Sequence, residues 1–171
     1  MSGVQIAALL AVVFSSGACT PPLERPRPAN QKRSGPASTE PLAIRQQVER
    51  LSAAVDTSNS EEFASLFAPD AVFMPYNQKH VAGRQAIRAW AQEMFVLYDY
   101  DKTAIHLDYV EVIDTWAFVR GSYAQNLFPR SGGPVLHATG SFVHTLQRQE
   151  DGSWLLSNTI WSNSSPLPQL P

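Results

Sequence analysis

Four consecutive stretches toward the C-terminal end of the chain, Thr103 to Ile113, Thr115 to Phe128, Pro134 to Gln149 and Ser153 to Asn163, are rich in Val, Ile, Phe, Tyr, Trp and Thr. Only short turn signals separate them: Asp114-Thr115, Pro129-Arg130-Ser131-Gly132-Gly133 and Asp151-Gly152. Strand side chains alternate faces with a period of two, and short turns make sequence neighbours into antiparallel neighbours in space. Such a chain is committed to a meander. Each stretch is substantially apolar on both faces, whereas an antiparallel sheet with one solvated face alternates cleanly. Both faces of this sheet are therefore expected to be covered.

Upstream of the meander the periodicity is helical. Ser38 or Thr39 can cap a first helix that tolerates Pro41 in its first turn, and Ile44, Val48, Leu51 and Val55 recur at helical spacing. Ser60, Glu61 and Glu62 open a second, short helix, the acids lying where the helix dipole favours them. Phe63, Leu66 and Phe67 form its buried face and Pro69 ends it. Ala71 to Met74 reads as a short buried strand, with Lys79 to Gly83 as its hairpin partner beyond the Tyr76-Asn77-Gln78 loop. From Arg84 a third helix carries Ile87, Trp90, Ala91, Met94 and Tyr98 on one side. Arg84 itself is placed to pin that helix to Asp70 or to a backbone carbonyl. Three helices before an antiparallel meander define an α+β domain over residues 42–165.

The ends read differently. Val4 to Phe14 is almost wholly apolar and leads through Ser15, Ser16, Gly17 and Ala18 into Cys19, the layout of a secretory signal over residues 1–19. Ser16-Gly17-Ala18-Cys19 resembles a bacterial lipoprotein lipobox, with Ser16 standing where Leu, Val or Ile is usual, and this implies a lipid on Cys19. A cleaved signal with a chance cysteine is the other reading. Residues 20–41 hold Pro21, Pro22, Pro26, Pro28, Pro36 and Pro41 among basic and small residues, with little to bury, and read as an extended tether. Residues 166–171 form a Pro-rich tail. The chain is thus expected to be exported to the cell envelope, lipid-anchored, periplasmic or secreted.

Charge and cysteine counts narrow the function classes. With 13 basic and 15 acidic side chains in 171 residues, the clustered cations that nucleic-acid binding needs are missing. His80, His106, His137 and His144 lie on different segments without a cysteine beside them, so no metal is expected. No cofactor motif, nucleophile elbow or phosphate-cradling loop occurs.

Four separated motifs then carry a family resemblance. Leu66-Phe67-Ala68-Pro69-Asp70-Ala71-Val72-Phe73, Val81-Ala82-Gly83-Arg84-Gln85-Ala86-Ile87, Ala117-Phe118-Val119-Arg120-Gly121-Ser122-Tyr123 and Asp151-Gly152-Ser153-Trp154 occur in the order seen in SnoaL-like domains of the nuclear transport factor 2-like superfamily, which they resemble. The resemblance implies a strongly curved antiparallel sheet wrapped around three N-terminal helices, a conical cavity beside them, and homodimers through the sheet's outer face. It leaves function open, because one fold hosts many functions. Ketosteroid isomerase, a member of the superfamily, uses an aspartate base with a tyrosine and a protonated aspartate. The corresponding positions here are Met74 or Pro75, Leu51 and Gly140, none of which moves a proton, so none of those roles is carried over.

Hairpin counting nominates the side chains of one face. If Asp114-Thr115 is a two-residue turn, Val110 pairs with Val119, Asp108 with Gly121 and His106 with Tyr123, all on one face. The resemblance makes the Val119, Gly121, Tyr123 face the cavity face, which turns His106 and Asp108 inward. A longer turn would reverse that result. Counting from Asp151-Gly152 pairs Trp161 with Phe142 and Thr159 with His144, also inward. Trp90 and Met94 of the third helix and Tyr76 of the loop complete a mostly aromatic pocket for a small molecule. Two functions fit. One is a module that binds a small apolar or aromatic molecule; the other is a cofactor-independent isomerase, cyclase or lyase in which His106, Asp108 and Tyr123 transfer a proton. A third is an interaction domain that uses its sheet face.

Overall fold

The structure is a computed structural model that describes residues 40–164. The signal and Cys19, most of the Pro-rich tether, the capping residues Ser38 and Thr39, and the tail from Ser165 lie outside the described residues. Three helices precede the long strands: α1 (Glu40–Asp56), α2 (Ser60–Ser65) and α3 (Arg84–Leu97). The strands are β1 (Phe67–Met74), β2 (Val81–Ala82), β3 (Tyr98–Ile113), β4 (Trp116–Pro129), β5 (Leu136–Arg148) and β6 (Trp154–Asn163). They form one curved six-stranded sheet in the order β2-β1-β6-β5-β4-β3.

The helical stripe behaves as its spacing predicts, with Ile44, Val48, Leu51 and Val55 all buried. α2 starts at Ser60, and its cap is the preceding Asn59, whose side chain accepts the Glu62 N–H. That short helix ends at Ser65, four residues before Pro69. Pro69 instead falls within β1, in the interval where the pairing of β1 with β6 slips between Phe67 and Val72. A residue with no N–H donor is tolerated where the ladder is already interrupted. Tyr98, expected on the third helix, is extended and opens β3.

The sheet is mixed, which corrects the expectation of a purely antiparallel one. β1 runs parallel to β6, pairing Val72 with Asn158 and Met74 with Ile160. The four long strands are tied by short turns and must alternate in direction. β1 reaches β6 only through α3 and the whole meander, so no tight turn dictates its direction.

The core lies between the helices and the inner face of the sheet, where Phe63, Phe67 and Phe73 are among the largest fully buried side chains. Two polar ties hold the layers in register. Arg84 Nε donates to the Phe67 carbonyl at 2.7 Å, joining the first turn of α3 to β1. Asp56, the last residue of α1, accepts the Thr103 N–H at 3.0 Å, at the bulge where Lys102 takes a positive φ of 54°.

Candidate functional site

A cavity of about 230 Å³ opens between α1, α2, α3 and the inner face of the sheet. The loop after β1 contributes Pro75, Tyr76, Asn77 and Gln78 to its wall, the helices contribute Val55, Phe63, Trp90, Met94 and Phe95, and the strands add Tyr98, Tyr100, Tyr123, Gln125, Trp161 and Asn163 among others. The volume falls just below the range of about 300–1,000 Å³ usual for small-molecule sites, and the wall has their usual makeup of aromatic surface with a few polar groups.

The wall is a continuous set of ring contacts. Phe73 meets Trp90 edge-on at 4.6 Å between centroids and Trp161 at 6.2 Å, and Trp161 in turn lies 5.2 Å from Tyr123. Edge-to-face pairs at such distances hold each other's orientation, so the walls are set before any guest arrives. At one side the Trp90 indole donates to Gln78 Oε1 at 2.7 Å, linking α3 to the loop.

At the β6 side the Tyr123 hydroxyl donates to Asn163 Oδ1 and lies 3.3 Å from the Ser162 carbonyl oxygen. Burial pushes its pKa up to about 12, and burial likewise raises that of Tyr100. Both phenols therefore stay protonated near neutral pH and serve as donors, not bases. Among the described residues lining the cavity there is no Asp, Glu, Lys, Arg or His.

Of the residues nominated from the sequence, Tyr123, Tyr76, Trp90, Met94 and Trp161 line the cavity. Phe142, His144 and Thr159 face inward, but they are packed in the core beneath the cavity and are not part of its lining; His144 and Thr159 are 0% exposed. Neither His144 ring nitrogen has a hydrogen-bond partner, and the ring stacks on Phe142 at 4.4 Å and 19°. Burial lowers its pKa to about 3, partly opposed by the Val143 backbone, so the ring is neutral. Gly140, the position aligned with the isomerase acid, leaves no room for any side chain: a Cβ there would overlap the Ser162 carbonyl oxygen and come within 2.8 Å of Tyr123 Cε1.

His106 and Asp108 require a correction. They lie on the outer face, with side chains 79% and 44% exposed, and pair with each other at 3.5 Å. The pairing set by a two-residue turn holds as far as Val110 opposite Val119 and Tyr109 opposite Arg120. A bulge then makes Asp108 an extra residue, so that Leu107 opposes Gly121 and Ile105 opposes Tyr123. One inserted residue exchanges the two faces of everything beyond it. His106 and Asp108 are therefore not brought together with Tyr123.

Several wall residues escaped the sequence reading. Gln125 and Leu127 follow Tyr123 at the strand period and were legible from it, and Tyr100 follows Tyr98 in the same way once Tyr98 is placed on β3. Asn163, at the end of β6, follows Trp161 at the same period.

A family model of the SnoaL-like domain matches residues 37–160. The chain belongs to this family. The SnoaL-like chain also shares the nuclear transport factor 2-like fold with solved structures. A ketosteroid isomerase-like protein from Erwinia carotovora atroseptica SCRI1043 is 19% identical with a TM-score of 0.68, over 73% of this chain and 96% of that one. A nuclear transport factor 2-like superfamily protein from Salmonella enterica serovar Typhimurium LT2 is 16% identical with a TM-score of 0.64, over 77% and 96%. A protein from Novosphingobium aromaticivorans DSM 12444, assigned provisionally as a scytalone dehydratase, is 21% identical with a TM-score of 0.64, over 74% and 85%. At these identities the likeness is one of fold. No curated protein is significantly similar to the chain in sequence.

Proposed function

We propose that this SnoaL-like domain holds a small apolar or aromatic molecule in a conical cavity without transforming it. The observation that carries the reading is the wall itself, which is aromatic and, among the described residues, free of side chains that are charged near neutral pH. Proton transfer from carbon needs a base with a pKa near the working pH. The polar groups of the lining are phenols, of which burial holds Tyr100 and Tyr123 protonated, amides and the indoles of Trp90 and Trp161, and His106 and Asp108 are on the other face. The dehydratase name of one structural neighbour describes that protein.

The domain is further proposed to act at the cell envelope as an exported homodimer anchored through a lipid on Cys19. The Ser16 to Cys19 motif and the Pro-rich tether support the anchor. Tyr109, Ile113, Trp116 and Phe118 support the dimer: they are large apolar side chains left exposed in one region of β3 and β4, a surface a second copy would cover. Native mass spectrometry of the protein purified from its own host tests all three parts. The expected spectrum shows a dimer, each copy carrying a diacylglyceryl group at Cys19, with a further small mass released on collisional activation. A monomer, an unmodified Cys19, or a mature start beyond it would each remove the corresponding part.

A further inference from the structure

Among the described residues, the large apolar side chains left exposed gather chiefly in two places. One is the outer face of β3 and β4, given above to a second copy. The other surrounds the mouth of the cavity. Tyr76, Asn77 and Gln78 of the wall are exposed and Tyr98 and Leu136 are half-buried, so the cavity reaches solvent between the loop after β1 and the ends of α3, β4 and β5. Val96 and Leu97 close α3, Phe128 is the penultimate residue of β4, and Val135 precedes β5; all four are exposed, Val96 to 71%. Backbone pairing brings these ends together. The Arg130 N–H donates to the Leu97 carbonyl at 3.0 Å, Tyr98 opposes Pro129, and Leu127 opposes Leu136. Tyr98, Leu127 and Leu136 are the chain neighbours of Leu97, Phe128 and Val135, and all three line the cavity. The apolar rim is therefore continuous with the apolar wall. Exposed apolar surface grouped in this way marks a place where the protein meets something.

We propose that this rim docks on a phospholipid bilayer, so that the cavity opens toward the membrane and an apolar guest passes between lipid and wall without crossing water. The inference rests on the membrane anchor proposed above and gives that anchored domain an orientation. Twenty residues separate Cys19 from Glu40. A chain of that length spans at most about 70 Å. A domain held within that distance meets the surface at an effective concentration on the order of millimolar, so a weak apolar contact is enough to seat it. Charge points the same way. Arg130 Nη2 meets Asp99 Oδ1 at 2.5 Å, and the pair leaves these two groups without a net charge to select a charged partner. Apolar side chains with a charged pair at their margin suit a bilayer interface, where the charged ends stay in water. A protein seated on the same rim would instead close the mouth to the guest.

Contact with lipid can be read at single cysteines in the full-length chain carrying Cys19→Ser, which cannot be acylated, so the outcome does not depend on whether Cys19 bears a lipid. A nitrobenzoxadiazole dye is placed at Val96→Cys or, on the outer face of β5, at Ser141→Cys. Each protein is mixed with phosphatidylcholine vesicles at about 10 mM lipid, in the concentration range a tether imposes, with and without doxyl-labelled lipid. The doxyl lipid is expected to quench the Val96 dye about twofold or more and to leave the Ser141 dye unchanged. Val135→Asp, in the exposed stretch before β5, should abolish the quenching without touching the core. Adding phosphatidylglycerol should change nothing, because the contact is apolar. Equal quenching at both sites, none at either, quenching that survives Val135→Asp, or quenching confined to vesicles with phosphatidylglycerol would each overturn the docking. A change in the Val96 dye that grows with protein concentration in the absence of vesicles would give the rim to a second copy and overturn it too. None of these results touches the anchor itself, which the mass of native Cys19 reads.

Discussion

Replacing Gly140 with alanine is expected to destabilise the protein by about 3 kcal/mol. Gly140 lies in β5 between Tyr123 of β4 and Asn163 of β6, its two cross-strand partners. A Cβ at this position meets the Ser162 carbonyl oxygen, which is backbone and cannot swing away as a flexible side chain would, and comes within 2.8 Å of the Tyr123 ring. Either β6 moves outward or the Tyr123 ring moves into the cavity. Both disturb the packing that sets the Tyr123 to Asn163 hydrogen bond. Urea unfolding of the Gly140→Ala protein against native, with exposed Ser141→Ala as the neighbouring control, measures the effect. A loss below about 1 kcal/mol, close to the control, would mean that β5 and β6 are not as closely apposed as described.

The second large effect is a loss of stability in mild acid that traces to one side chain. His144 is enclosed by Phe142, Val119 and Thr159, and its folded pKa is about 3 against an ordinary value near 6.5. Above about pH 6.5 the ring is neutral in both states and contributes no pH dependence. Below it the unfolded chain takes up a proton that the folded chain refuses. Stability then falls by about 1.4 kcal/mol for each pH unit until the folded ring itself titrates. Between pH 7 and pH 5 this amounts to about 2 kcal/mol. His144→Leu removes the group, so the difference in unfolding free energy between variant and native should move in the variant's favour by that amount, other titrations cancelling in the difference. Replacing an unpartnered buried polar ring by an apolar side chain also makes the variant at least as stable at pH 7. Parallel pH profiles for the two proteins would show that His144 has a partner or solvent access when folded.

The three helices were legible because each buries a stripe at helical spacing, and the long strands because their turns are chemically marked. What the sequence concealed was the parity of individual strands. Asp114, with a positive φ of 54°, makes the turn expected of it, yet the bulge at Asp108 carries no residue that announces an insertion. Bulges answer to the twist and closure of the whole sheet, which no local window contains. β6 shows the same limit from the opposite side. Its pairings of Phe142 with Trp161 and His144 with Thr159 were counted correctly, but by the cancellation of two departures. The loop before it spans three residues, closed by the Gln149 N–H donating to the Ser153 carbonyl, and the slip between Thr145 and Leu146 restores the count. The parallel pairing of β1 with β6 was hidden for a related reason, since a strand joined by no tight turn carries no signal of its direction.

The cavity was legible as a class of site from the aromatic residues on inward positions, and its charge character was not. The expectation of a histidine and a carboxylate within reach of a phenol depended wholly on one register. With those two side chains turned outward, what remains around Tyr123 is a neutral wall, and the account of function turns on whether that space takes a guest.

Methyl NMR of the protein labelled at its methionines reads this most directly, because Met94 lines the cavity and Met74, at the end of β1, does not. Titration with 1-indanone is expected to shift the Met94 methyl resonance saturably while the Met74 resonance stays in place. A Met94 signal unmoved up to the solubility limit of the probe would contradict the presence of a binding cavity between the helices and the sheet.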